Sequence, residues 1–226
     1  MADFDNVKEI GFFKSLFLTW KQSLFNPEKF YYENFKKIEG GEEKEGTEHH
    51  RRDTSPIMRP YFYAIIFTYI NLVFSFFWEI IFFKIGFYKN YAILPKIPLF
   101  FTDKNSIDFY LIIGIVFLLI LLGILYTIFL ALLTIVIHGF VMLMGGQHGI
   151  KNTFRIICYA SGVGVFSIFP LFGYNISAAW FAALLIIGIK KTNALSTPRS
   201  IMALLLPFIF VSLILAAFII KILAAR

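Results

Sequence analysis

The chain has 226 residues, 58% of them hydrophobic and 19% aromatic, with a mean hydropathy of +0.74. That is more apolar surface than a soluble domain of this length buries, so the composition excludes an ordinary soluble protein and indicates an integral membrane protein. The net charge of +7 is unevenly spread: residues 1–57 hold nine Lys/Arg against eleven Asp/Glu and the rest twelve against three, a pattern of membrane topology and anionic headgroups rather than nucleic acid.

The opening MADFDNVKEIGFFK lacks the basic start, short apolar run and cleavage site of a secretory signal, so the first hydrophobic helix is expected to act as the insertion signal. Residues 1–37 read as cytoplasmic amphipathic helices. Ile10, Phe13, Phe17, Trp20 and Leu24 recur at threes and fours, forming an apolar stripe with Lys14, Lys21 and Ser23 elsewhere on the helix. Such a helix suits the membrane interface, and packing on the protein's own core fits equally well. Asn26-Pro27 ends it and starts a second helix, with Asn26 as cap and Pro27 at the first helical position.

Residues 38–57 are rich in Gly and Glu, lack apolar periodicity and read as a flexible linker. The His49-His50-Arg51-Arg52 cluster within it, flanked by acids, reads as a solvated charge run rather than a metal site.

From residue 58 to 226 the sequence predicts an all-α bundle of five transmembrane helices, at 58–83, 108–144, 152–171, 173–190 and 200–222. The second is expected to be one long, tilted or projecting helix, because a break at Gly123 has no polar turn to accompany it. The third and fourth are short for a crossing. With five crossings, fifteen Lys/Arg fall on the side of the N-terminus and six on the other, which predicts a cytoplasmic N-terminus and an external C-terminus.

Few residues in these segments promise chemistry. Glu79 and His138 are ionisable groups in apolar surroundings, which are costly and default to functional suspicion. They are expected near opposite faces, too far apart for one site. With Tyr159, they complete the candidate functional polar residues. Cys158 reads as a small buried hydrophobe. HExxH, GxSxG and the phosphate-loop pattern are all missing, so no catalytic, metal or cofactor site is expected. In HGFVMLMGGQHGIKNT, Gly145 and Gly146 suit a turn that ends one helix, and Asn152 or Thr153 could cap the next. Ala160/Gly164 and Gly173/Ser177 repeat at four and should let helices approach closely, while Pro207 should kink the last helix.

Taken in order, FNPEKFYY (25–32), IHGFVMLMGGQHGIKNTFRIICYAS (137–161), IFPLFG (168–173), Trp180 and LIIGIKKTNALSTPRSIMALLLP (185–207) resemble the Yip-one domain family, membrane proteins first described through binding to Ypt/Rab GTPases. The resemblance implies a five-helix domain with a cytosolic N-terminus, in eukaryotes a Golgi or ER protein of vesicle trafficking that often forms heteromers. It carries no catalytic residues. The short cytosolic arm and long second helix are similar to those of prokaryotic members, which places the chain in a plasma membrane, with Golgi or ER as the alternative. No feature demands a Rab-type GTPase.

The expected function is therefore non-enzymatic: a membrane-organising or partner-binding protein that forms homo- or hetero-oligomers and contacts the bilayer and its anionic headgroups. The alternative is a small transporter or channel with a cytoplasm-facing polar cavity near His138, Tyr159 and Pro207.

Overall fold

Runs of Leu, Ile and Phe without Asp, Glu, Lys or Arg leave the backbone one solution in lipid, which is to hydrogen-bond within its own segment as a helix. A computed structural model describes residues 10–39, 57–85 and 109–224, and those residues are almost entirely helical. The elements are α1 (Phe12–Phe25), α2 (Pro27–Glu39), α3 (Met58–Lys84), α4 (Phe109–Leu143), α5 (Ile150–Ala160), a 3-10 segment (Ser161–Ile168), α6 (Gly173–Thr192) and α7 (Thr197–Ala224). The linker and its His49-to-Arg52 cluster lie outside the described residues.

Helix α4 continues unbroken through Gly123 for 35 residues. It runs antiparallel to α3: the Tyr61 and Thr127 hydroxyls share a 2.7 Å hydrogen bond, and the Tyr69 hydroxyl donates to the Leu119 carbonyl at 2.8 Å. Both helices expose large apolar side chains along their length, among them Val73, Phe76, Phe117 and Phe129. An outer surface of that kind calls for lipid or another membrane protein against it.

The expectation of five transmembrane helices requires correction. Among the described residues four helices are long and apolar enough to cross a membrane, within Met58–Phe82, Val116–Leu143, Gly173–Thr192 and Thr197–Ala217. The stretch read as the third crossing is instead an 11-residue α-helix followed by eight residues of 3-10 helix. It follows α3 in the same direction, with Tyr159 against Tyr63, Gly164 against Phe67 and Asn71, and Ile168 beside Trp78.

A 3-10 helix bonds its backbone less well than an α-helix, and lipid supplies no substitute partners. Side chains make up the difference here. The carbonyl of Gly162 accepts Trp20 Nε1–H at 3.0 Å, that of Val163 the Ser177 hydroxyl at 3.0 Å, that of Gly164 the Ser167 hydroxyl at 2.7 Å and that of Ile168 Trp78 Nε1–H at 3.1 Å. Its small residues admit close neighbours: a Cβ on Gly164 would lie 3.0 Å from the Phe67 carbonyl oxygen.

Pro170 to Phe172 then reverse the chain, with Leu171 at a φ of 65°. Gly173 starts α6 against the Phe166 carbonyl, leaving no room for a Cβ. Helix α6 returns along the 3-10 segment and α5, ending with Gly188 pressed on Ile156 and Tyr31. Helix α7 packs on α4 and α6. Ser200, Ala203, Leu204 and Pro207 form its buried stripe, and Pro207 lies inside the continuous helix.

The N-terminal helices meet at Asn26-Pro27, and the apolar stripe is not the face that α1 buries. In α1 the buried face consists of Ser15, Thr19 and Ser23, joined by Leu24, whereas Phe13 and Phe17 are exposed. Only Leu24 of the sequence-derived apolar stripe is fully buried, and Trp20 is half-buried. Helix α2 starts at Pro27 and lies across the end of α6.

Candidate functional site

The polar residues of the bundle concentrate where α4 ends, α5 begins and α6 gives way to α7. Gly145 ends α4 with a φ of 91°, the left-handed conformation that glycine adopts without a Cβ penalty. Gly146 follows for a different reason. A Cβ there would lie 2.5 Å from Val141 Cγ1 and 3.0 Å from Asn193 Oδ1. Helix α5 is capped by neither Asn152 nor Thr153, because it begins at Ile150 with Gly149 at the N-cap and no side-chain cap bond. Asn152 and Thr153 lie inside the helix and are buried.

Asn193 joins the two loops. Buried between them, it accepts the backbone N–H of His148 at 3.4 Å and donates to the Ile189 carbonyl at 3.3 Å and to Thr192 Oγ1 at 3.0 Å. The Thr192 hydroxyl in turn donates to the Gly188 carbonyl at 2.8 Å. On the other side of the loop, His138 Nδ1 is 3.0 Å from Thr153 Oγ1. The glycine turn and the TNALST loop are thus one polar layer. Two of its hydrogen bonds, His148 to Asn193 and His138 to Thr153, fasten one helix end to another, and the rest close the last turn of α6 around Asn193.

A second cluster lies where the N-terminal helices meet the bundle. The Tyr159 ring packs edge-on against Phe30 with centroids 5.0 Å apart and lies 5.4 Å from Tyr63. The Tyr63 hydroxyl shares a 3.2 Å hydrogen bond with Ser23, and the Tyr31 hydroxyl donates to the Ile156 carbonyl at 3.4 Å. Burial raises the Tyr31 pKa well above the ordinary phenol value, so this hydroxyl remains a donor. At the rim, Lys191 Nζ lies 2.9 Å from Glu28 Oε2 and holds that carboxyl below its usual value, first by the hydrogen bond and then by charge, with Lys190 adding to it.

The sequence-derived candidates are therefore not brought together. His138 faces Thr153, Tyr159 faces Phe30 and Tyr63, and Glu79 is exposed toward the other end of α3. Gly164, Gly173 and Ser177 hold the 3-10 segment to its neighbours, and Ala160 is fully buried just before it. A cavity of about 330 Å³ opens between α3 and α4, lined by residues such as Ile65, Leu72, Leu122 and Phe129. Its lining is almost wholly apolar and contains neither His138 nor Tyr159. Among the described residues no three His, Cys, Asp or Glu side chains gather as metal ligands would.

Sequence reasoning missed Asn193, Ser23 and Trp20 as joining residues. Only Trp20 had a signal, since an indole N–H in lipid needs an acceptor.

Residues 44–219 match the Yip1 domain. The chain belongs to the Yip1 domain family. The match covers most of the chain, including α3 to α6 and the two loops joined by Asn193. No curated protein and no solved structure matches it. Together with the four long apolar helices, the Yip1 domain makes this an integral membrane protein.

Proposed function

We propose that this Yip1 domain protein is a non-enzymatic organiser of membrane proteins, working as a homo- or hetero-oligomer, with the end of the bundle that carries Arg59, Lys151, Lys190, Lys191 and Arg199 in the cytoplasm. One observation carries the reading: the polar residues of its characteristic stretches bond to the protein itself, His138 to Thr153 across two helices, and Asn193 to the His148 N–H across two loops and to the end of its own helix. A catalyst or transporter would instead turn such groups toward a substrate path. The concentration of Lys and Arg at one end supports the orientation through the positive-inside tendency. The reading calls for partner membrane proteins and does not require a Rab-type GTPase.

The test is crosslinking of the full chain in its native membrane, combined with solute flux in proteoliposomes. Discrete crosslinked species, homomeric or with a defined membrane partner, and flux no greater than in empty vesicles are expected. A chain that stays monomeric while conducting a solute flux abolished by His138→Ala would overturn the proposal in favour of transport.

A further inference from the structure

Helix α1 is arranged the opposite way round from an amphipathic helix on a soluble protein. Its inward face is small and polar, and the hydroxyls there are bonded: Ser15 to the Phe12 carbonyl at 2.7 Å, and Ser23 to the Trp20 carbonyl at 3.0 Å as well as to Tyr63. Its outward face carries Phe13, Lys14, Phe17, Lys21 and Phe25, all exposed. At about 100° per residue these five occupy a single arc of about 120°. No Asp or Glu occurs in FFKSLFLTWKQSLF.

The depth of this face follows from where α1 is anchored. Ser23 meets Tyr63, which lies about 7.5 Å along α3 from Met58, the first residue of that membrane span. Trp20 bonds to Gly162, and Gly162 itself lies against the Tyr63 hydroxyl. An interfacial helix places its apolar side chains about 5–10 Å into the boundary between headgroups and acyl chains. At that level phenyl rings meet acyl chains, and lysine stems extend along them to bring the ammonium groups to the phosphates.

We infer that the Phe/Lys face of α1 docks in the membrane interface and selects anionic phospholipids, with Phe13, Phe17 and Phe25 in the upper acyl region and Lys14 and Lys21 on the headgroups. Charge complementarity identifies the occupant. A face covered by a second copy would bring four unneutralised lysines together, whereas an anionic leaflet neutralises them. Each lysine should contribute about a fivefold preference for an anionic over a zwitterionic lipid. This inference goes beyond the organising role, since it assigns a lipid class to a surface that needs no protein partner.

The experiment uses the full chain. Native mass spectrometry of detergent-solubilised protein, with phosphatidylglycerol and phosphatidylcholine in competition, should show preferential retention of the anionic lipid. Lys14→Gln and Lys21→Gln should each lower that preference by about fivefold, and Lys221→Gln, at the last turn of α7, should leave it unchanged. A nitroxide on Phe17→Cys, selective because Cys158 is fully buried, should be relaxed by lipid-dissolved oxygen at shallow depth in phosphatidylglycerol-containing vesicles. An unchanged lipid preference in the Lys14→Gln/Lys21→Gln double variant would overturn the inference. So would a label relaxed mainly by an aqueous reagent, or spin–spin broadening that places a second copy on the face. Loss of lipid preference with crosslinking to partners intact would separate this site from the organising role.

Discussion

Trp20 donates its indole N–H to the carbonyl of Gly162 at 3.0 Å, joining α1 to the residue next to the start of the 3-10 segment, 142 positions away in the chain. Removing the donor while keeping an aromatic ring isolates this bond. Trp20→Phe leaves a carbonyl without that donor in an apolar setting and should cost about 1–3 kcal/mol. Hydrogen exchange in residues 12–39 should rise, while α3 and α4 retain their protection. Equal loss of protection in α4 would mean that α1 supports the whole bundle rather than its own docking.

The glycines differ in what surrounds them, so the same substitution should act in opposite directions. Gly164→Ala forces a methyl to within 3.0 Å of the Phe67 carbonyl oxygen and should destabilise by about 1–3 kcal/mol. Gly139 lies in α4 with open space where a Cβ would stand, and Gly139→Ala should stabilise by about 0.5–1 kcal/mol through helix propensity. Thermal unfolding in detergent distinguishes the two. Equal and opposite-to-expected shifts would show that small residues on the 3-10 segment are not there for close approach.

The membrane helices were legible because length and apolarity alone define them: 36 residues free of charge from Phe109 to Met144 leave room only for a helix such as α4. The 3-10 segment was not legible. Gly162, Gly164 and Ser167 are as compatible with a short transmembrane α-helix as with a 3-10 helix, and the difference lies in donors from distant residues such as Trp20, Trp78 and Ser177. Which way the apolar stripe of α1 faces was left open for a general reason. Periodicity separates large apolar from polar residues, and in water the apolar side faces inward. Beside a membrane Phe13 and Phe17 can face outward while Ser15, Thr19 and Ser23 permit close packing. The turn at Gly145 was evident from its residue type, whereas the partnership of His148 with Asn193 spans 45 residues and leaves no local pattern.

The contact between Glu28 and Lys191 should make the docking of α2 depend on acid. Its folded-state pKa is depressed, so its contribution is present above the unfolded carboxylate value, about 4.3, and is lost as pH falls through the folded value. Both partners are partly in solvent, so the effect is small and sensitive to salt. Tryptophan emission followed from neutral pH down through the carboxylate range should show an acid transition in the wild type that Glu28→Gln removes. Persistence of the whole transition in that variant would assign it to another carboxylate.

Asn193 provides the sharpest test of the polar layer, because its side chain accepts from His148 in the other loop while it donates to Ile189 and Thr192 at the end of α6. Asn193→Ala removes the acceptor of the His148 N–H and empties the space beside Gly146, which should cost about 1–3 kcal/mol. The loss should be local at first. Residues 144–149 are held on one side by the backbone bonds of Gly145 and Gly146 to Met142 and Val141 and on the other by Asn193. Proteolysis within this loop should accelerate about fivefold or more for a loss of about 1 kcal/mol, if cleavage follows the open population. Asn193→Asp keeps an acceptor for His148 but loses the donor to Ile189 and Thr192, and should fall between the wild type and the alanine variant. If all three proteins are cleaved at one rate, the loops are held together by their apolar neighbours and Asn193 is not the joining residue.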